Sequence, residues 1–178
     1  DLVSIAQGQQ PPANLGFEAQ DRLSRPAGWA VNGAGYDIAL DTVSPLAGRS
    51  SLRTRWYGPG TRGPQAFAVA TTTYPLPLAR GRALRLSGYI RTEGISEGYA
   101  GFWVRVDAGT RTIAFENMRQ RGVSGTTAWT KYEVEVPVDS GASAINLGAL
   151  HPGNGTAWYD SLTIQVVGMA RPRVYADA

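Results

Sequence analysis

The sequence predicts an all-β fold, a jelly-roll sandwich of two antiparallel sheets. Glycine, proline or asparagine interrupts nearly every window in which an apolar period of 3.6 residues could be sustained, so no helix is expected. Short runs of alternating apolar and polar residues recur instead. Turn residues separate them: Gly58-Pro59-Gly60, Asp107-Ala108-Gly109, Asp139-Ser140-Gly141 and Pro152-Gly153-Asn154-Gly155. Eight or nine such runs in one domain-sized stretch match the strand count of a sandwich.

Taken in order, the expected strands cover residues 51–57, 65–74, 83–92, 100–106, 112–118, 130–136, 144–150 and 157–167, with a weaker one at 36–41. Period two sorts each into two faces. In 83–92, Leu84, Leu86, Gly88 and Ile90 oppose Arg85, Ser87, Tyr89 and Arg91. In 100–106, Phe102, Val104 and Val106 point to the core, which turns Trp103 and Arg105 outward. Leu52, Thr54 and Trp56 oppose Arg53, Arg55 and Tyr57, and Tyr132, Val134 and Val136 oppose Glu133 and Glu135. Residues 14–167 form one module. Residues 1–13 read as a lead-in and 168–178 as a tail or linker.

Composition removes much chemistry. The 178 residues include no cysteine and a single histidine, His151, which excludes thiol nucleophiles, cysteine zinc sites and multi-histidine metal centres. Hydrophobic residues at 43% and charged residues at 17% exclude a disordered chain. No apolar run reaches the ~18 residues of a membrane span. The net charge is +3, and sixteen of seventeen cations are arginine, Lys131 being the exception. They are scattered singly rather than gathered in a basic patch, so a nucleic-acid partner is not expected. The N-terminal stretch reads either as the start of a mature exported chain or as an arbitrary boundary, and a periplasmic or secreted location is the expectation.

Two literal motif matches fail on context. Gly58 to Gly63 fits GxGxxG, but Pro64 and a β-like run follow where a phosphate-facing helix is needed. Gly94-Ile95-Ser96-Glu97-Gly98 fits GxSxG, but it joins two strands rather than a strand and a helix. A Ser96–His151 pair stays formally open, although His151 sits in what reads as a turn. Glu93, Glu97 and Glu116 are candidates for an acid pair, with nothing to separate them from solvated loop acids. Asn154-Gly155-Thr156 is a glycosylation sequon.

Several segments, in order, resemble a known group. They are Asn14-Leu15-Gly16-Phe17-Glu18 with Pro26-Ala27-Gly28-Trp29, Leu46 to Leu52, Leu86 to Arg91, Phe115 to Arg119, Gly125 to Trp129 with Tyr132, and Ala157-Trp158-Tyr159-Asp160. Together they resemble galactose-binding-like jelly rolls, including carbohydrate-binding modules of the family-4/9 type. They are closer still to an accessory domain found beside bacterial tail-specific serine peptidases, erythromycin-esterase-like hydrolases and some regulators. The resemblance implies a non-catalytic module whose partner is a carbohydrate or an adjacent catalytic domain. It also implies a structural calcium, with Glu18 and Asp160 at the matching positions and Asp41 as a weaker third ligand. The alternative is that Glu18 and Asp160 cap turns or accept backbone hydrogen bonds.

Sugar recognition needs an aromatic platform, polar side chains for hydroxyls, and arginine where the sugar is acidic. The outward set Tyr89, Arg91, Trp103 and Arg105, with Arg53, Arg55 and Tyr57, has that composition and makes one ligand face if the strands are neighbours. Asn117 and Arg119 join it if their strand lies alongside. Trp103 reads equally as platform or packing; Trp29, Trp56, Trp129 and Trp158 read as packing.

Overall fold

A computed structural model describes residues 10–169. The chain forms strands β1 (Ala30–Asn32), β2 (Tyr36–Asp41), β3 (Ser51–Trp56) and β4 (Ala68–Thr73), then a single helical turn α1 (Leu76–Ala79). It continues with β5 (Arg82–Ala108), β6 (Arg111–Glu116), β7 (Val123–Pro137), β8 (Ala144–His151) and β9 (Thr156–Met169). All pairings between them are antiparallel.

The strands stack as two layers. The first runs β2-β3-β9-β5-β7 and the second β1-β4-β8-β5-β6. Strand β5 belongs to both: residues 82–93 pair with β9, and residues 101–107 pair with β8. The protein is therefore an all-β jelly-roll sandwich, with one hydrogen-bonded path from β1 to β2 through the shared strand. The two runs expected at 83–92 and 100–106 are the halves of this 27-residue strand. The crossing is made at Gly94 and Gly98, both at positive φ, and a Cβ at Gly98 would meet the Pro152 carbonyl at 1.9 Å. The short strand β1 and the turn α1 carry no period long enough to be seen beforehand. Residues 1–9 of the expected lead-in and 170–178 of the expected tail lie outside the described residues.

The core follows the alternation. Leu84, Leu86 and Ile90 of the first layer and Phe102, Val104 and Val106 of the second are fully buried, with Leu52, Leu147 and Tyr159. Phe102 meets Tyr159 edge-on across the layers, with ring centres 5.9 Å apart. Phe17 and Trp29, with ring centres 5.2 Å apart, belong to the same buried cluster.

His151 is not a turn residue. It is the last residue of β8 and is wholly buried. The turn that follows is folded back onto the β5 crossing: Asn154 Oδ1 accepts the N–H groups of Ser96 and Glu97, and its Nδ2 donates to Ser96 Oγ at 2.7 Å. The sequon asparagine is thus consumed by a structural bridge.

Candidate functional site

The outer face of the second layer is a cleft of about 710 Å³, within the range of ligand pockets. Alternation builds its floor from the residues that do not face the core: Val69 and Thr71 of β4, Asn146 and Leu150 of β8, Trp103 and Arg105 of β5, and Phe115 of β6. Register sets the rows. Arg105 stands opposite Asn146 on one side and Phe115 on the other. Trp103 stands opposite Gly148, which offers no side chain, and its indole reaches β8 to donate to the Ala149 carbonyl at 3.2 Å. Loops raise the walls with Gln65 and Phe67 before β4, Asn117 and Arg119 after β6, and Tyr99 at the β5 crossing. Phe67 and Phe115 are about half exposed, whereas Trp103 is only 8% exposed. Among the described residues, no aspartate or glutamate lines the cleft.

The residues expected to form one ligand face fall on two. Trp103, Arg105, Asn117 and Arg119 meet in the cleft. Tyr89, Arg91, Arg53 and Arg55 lie on the outer face of the first layer, because β5 changes sheets between Arg91 and Trp103. There, Arg53 pairs with Asp37 at 2.7 Å and Asp41 at 3.4 Å, and Arg55 pairs with Asp37 at 3.4 Å. Tyr57 is exposed and borders an open hollow with Tyr36, Asp37 and Arg55. Sequence reasoning missed Phe67, Tyr99, Phe115, Asn146 and Gln65. Phe115 and Asn146 occupy outward positions of expected strands, so alternation contained that signal; the loop residues gave none.

The carboxylates assigned to calcium are otherwise engaged. Both oxygens of Glu18 accept the Arg49 N–H, at 2.9 and 3.0 Å, and Oε1 also accepts that of Ser50. These backbone donors hold the Glu18 carboxyl below its ordinary range. Asp160 accepts the N–H groups of Leu46, Ala47 and Ser161. Burial nevertheless pushes its carboxyl up, against those bonds. Asp41 accepts from Val43, Trp158 Nε1 and Arg53. A hard cation needs six to eight oxygens. These carboxylates instead face N–H dipoles, and no group of three acidic or histidine ligands gathers among the described residues. The donor set as arranged does not fit calcium.

Nor do the groups for hydrolysis assemble. His151 Nε2 donates to the Asn154 carbonyl at 2.8 Å, which leaves Nδ1 to accept from the Thr54 hydroxyl at 2.9 Å. Both nitrogens are thereby used, and Ser96 bonds Asn154 rather than the ring. Burial pushes the His151 pKa down to about 4. Glu116 turns its carboxylate back onto the Met118 N–H, and Glu93 and Glu97 stand at the crossing, outside the cleft.

No protein-family model matches the chain. An uncharacterized HTH-type transcriptional regulator of Bacillus subtilis, YbfP, is 28% identical over 149 residues, which are 82% of this chain and 50% of that protein. The chain therefore spans half the length of that curated relative. Among solved structures, the fold is shared with the xylan-binding CBM22-1 domain of Xyn10C from Paenibacillus barcinonensis. That match has a TM-score of 0.59 at 17% identity and covers 87% of this chain and 93% of that one. It is shared equally with a Stig cyclase from Fischerella, at TM-score 0.63 and 14% identity, covering 90% and 98%. At such identities the likeness is one of fold, and the same sandwich serves sugar binding in one of these proteins and is a cyclase in the other.

Proposed function

We propose that this chain is a carbohydrate-binding module whose ligand lies in the cleft of the second layer, and that the glycan is acidic. The composition of the cleft carries this reading. Aromatic faces from Phe67, Tyr99, Trp103 and Phe115 suit the apolar faces of pyranose rings; Gln65, Asn117 and Asn146 suit hydroxyls; and two arginines, Arg105 and Arg119, stand among lining residues that include no acid. The fold shared with the xylan-binding domain of Xyn10C supports it. Affinity electrophoresis through gels cast with xylan, glucuronoxylan or polygalacturonate tests it. Retardation by the acidic polymers, weakened at least tenfold by Phe115→Ala, is the expected result. Migration unaffected by any of the three would end the proposal.

The kinship with YbfP supports a second reading, in which the module is the ligand-sensing half of a longer regulator. The same cleft would then receive a signal molecule. A small-molecule thermal-shift screen separates the two: stabilisation by monosaccharides or other metabolites, without retention on polymers, favours the sensor. An accessory role beside an exported hydrolase, with this chain as its non-catalytic part, stays a proposal resting on the resemblance in sequence.

A further inference from the structure

The two arginines of the cleft are not equivalent. Arg105 is balanced: its Nε lies 3.2 Å from Asp107 Oδ2, and the other oxygen of Asp107 accepts the Thr112 hydroxyl. The side chain is therefore held from behind, with its charge offset by a neighbour two residues away.

Arg119 is set differently. Met118 adopts φ +60° and buries its side chain completely, against Gly101 and with its sulfur 3.2 Å from the Phe102 nitrogen. This plug turns the flanking Asn117 and Arg119 toward the cleft. The turn is braced on every side. Tyr99 donates its hydroxyl to the Asn117 carbonyl at 3.1 Å, Asn117 Oδ1 accepts the Arg119 N–H at 3.1 Å, and Glu116 spends a carboxylate oxygen on the Met118 N–H. Among the described residues, the Arg119 guanidinium makes no hydrogen bond and no ion pair. Arg22, Arg82, Arg91 and Arg111 share that condition, but none of them borders the cleft. A guanidinium on a fixed turn, beside a cleft with no acid among its described lining residues, retains its full fork of donors for a planar carboxylate.

We propose that Arg119 is the carboxylate receptor of the cleft and that the ligand class is a glycan bearing uronic acid residues, with Arg105 donating to hydroxyls. The proposal rests on the glycan reading of the cleft. Isothermal titration with glucuronoxylan fragments, and with the same fragments after reduction of their carboxyls to alcohols, tests it on the full chain. The acidic fragments should bind about tenfold tighter than the reduced ones. Arg119→Gln should erase that preference by weakening the acidic fragments more than the reduced ones, and Arg119→Lys should restore only part of it, since lysine lacks the fork. Arg105→Gln should weaken both fragments by a similar factor. An equal loss on both fragments in Arg119→Gln, or no preference in the parent, overturns this assignment and leaves the glycan reading standing. Failure of the parent to bind either fragment overturns both.

Discussion

The guanidinium carbon of Arg91 stands 3.8 Å above the ring centre of Trp158, on the face of the sandwich opposite the cleft. Trp129 flanks the same cation at 5.7 Å, and Trp158 passes its indole hydrogen to Asp41, which also pairs with Arg53. Arg91 and Arg53, which read as part of a sugar platform, are engaged here by two tryptophans that read as packing and by Asp41. Arg91→Met keeps the stem and removes the charge. It should cost about 1 kcal/mol in urea denaturation and leave glycan retention unchanged. A loss of retention with stability intact would return the ligand to this face.

Trp103 lines the cleft but is largely buried and hydrogen-bonded to β8. Trp103→Ala should therefore cost about 3–5 kcal/mol, and its loss of binding would report a weakened fold. Phe115, half exposed, should tolerate alanine with little change in melting temperature while retention falls. Paired melting and retention measurements on the two variants check this.

Gly48 adopts φ +64°, and a Cβ there would come within 2.3 Å of the Glu18 carboxylate. The loop holding Leu46 to Ser50 can wrap Glu18 and Asp160 only with glycine at this corner. Gly48→Ala should destabilise by about 1–3 kcal/mol. Because N–H groups already satisfy both carboxylates, added calcium or chelator should leave the parent's melting temperature unchanged. A rise with calcium would establish the metal site that the resemblance implies.

His151 contributes a pH dependence of known sign. Its pKa is depressed from 6.5 to about 4 in the fold, so between those values the unfolded chain binds the extra proton. Stability from this source is complete above about pH 6.5 and declines as pH falls toward 4, amounting to about 3 kcal/mol in total. Denaturation midpoints measured from pH 7 to pH 4 should fall, and His151→Gln should flatten that slope. Equal slopes in parent and variant would assign the dependence to the carboxylates instead.

Period-two alternation made the core legible. Leu84, Leu86, Ile90, Phe102, Val104 and Val106 were assigned inward from their spacing, and all are buried. Trp103 and Arg105 were likewise marked as outward by spacing alone. What alternation could not supply was the sheet to which each outward face belongs. Local sequence sets which side of a strand a residue takes, since successive side chains point to opposite faces. Which strands become neighbours depends on hydrogen bonds between distant segments. Strand β5 leaves one sheet for the other at Gly94 and Gly98, and that crossing sends Arg91 to one side of the molecule and Trp103 to the other. The sequence by itself determined a two-layered β-sandwich, its core and its lack of thiol and multi-histidine chemistry. Only the tertiary structure decided that four of the nine ligand candidates meet in one cleft, that Glu18 and Asp160 face N–H groups, and that His151 is buried. Those facts arise from pairings across the chain that no local pattern encodes.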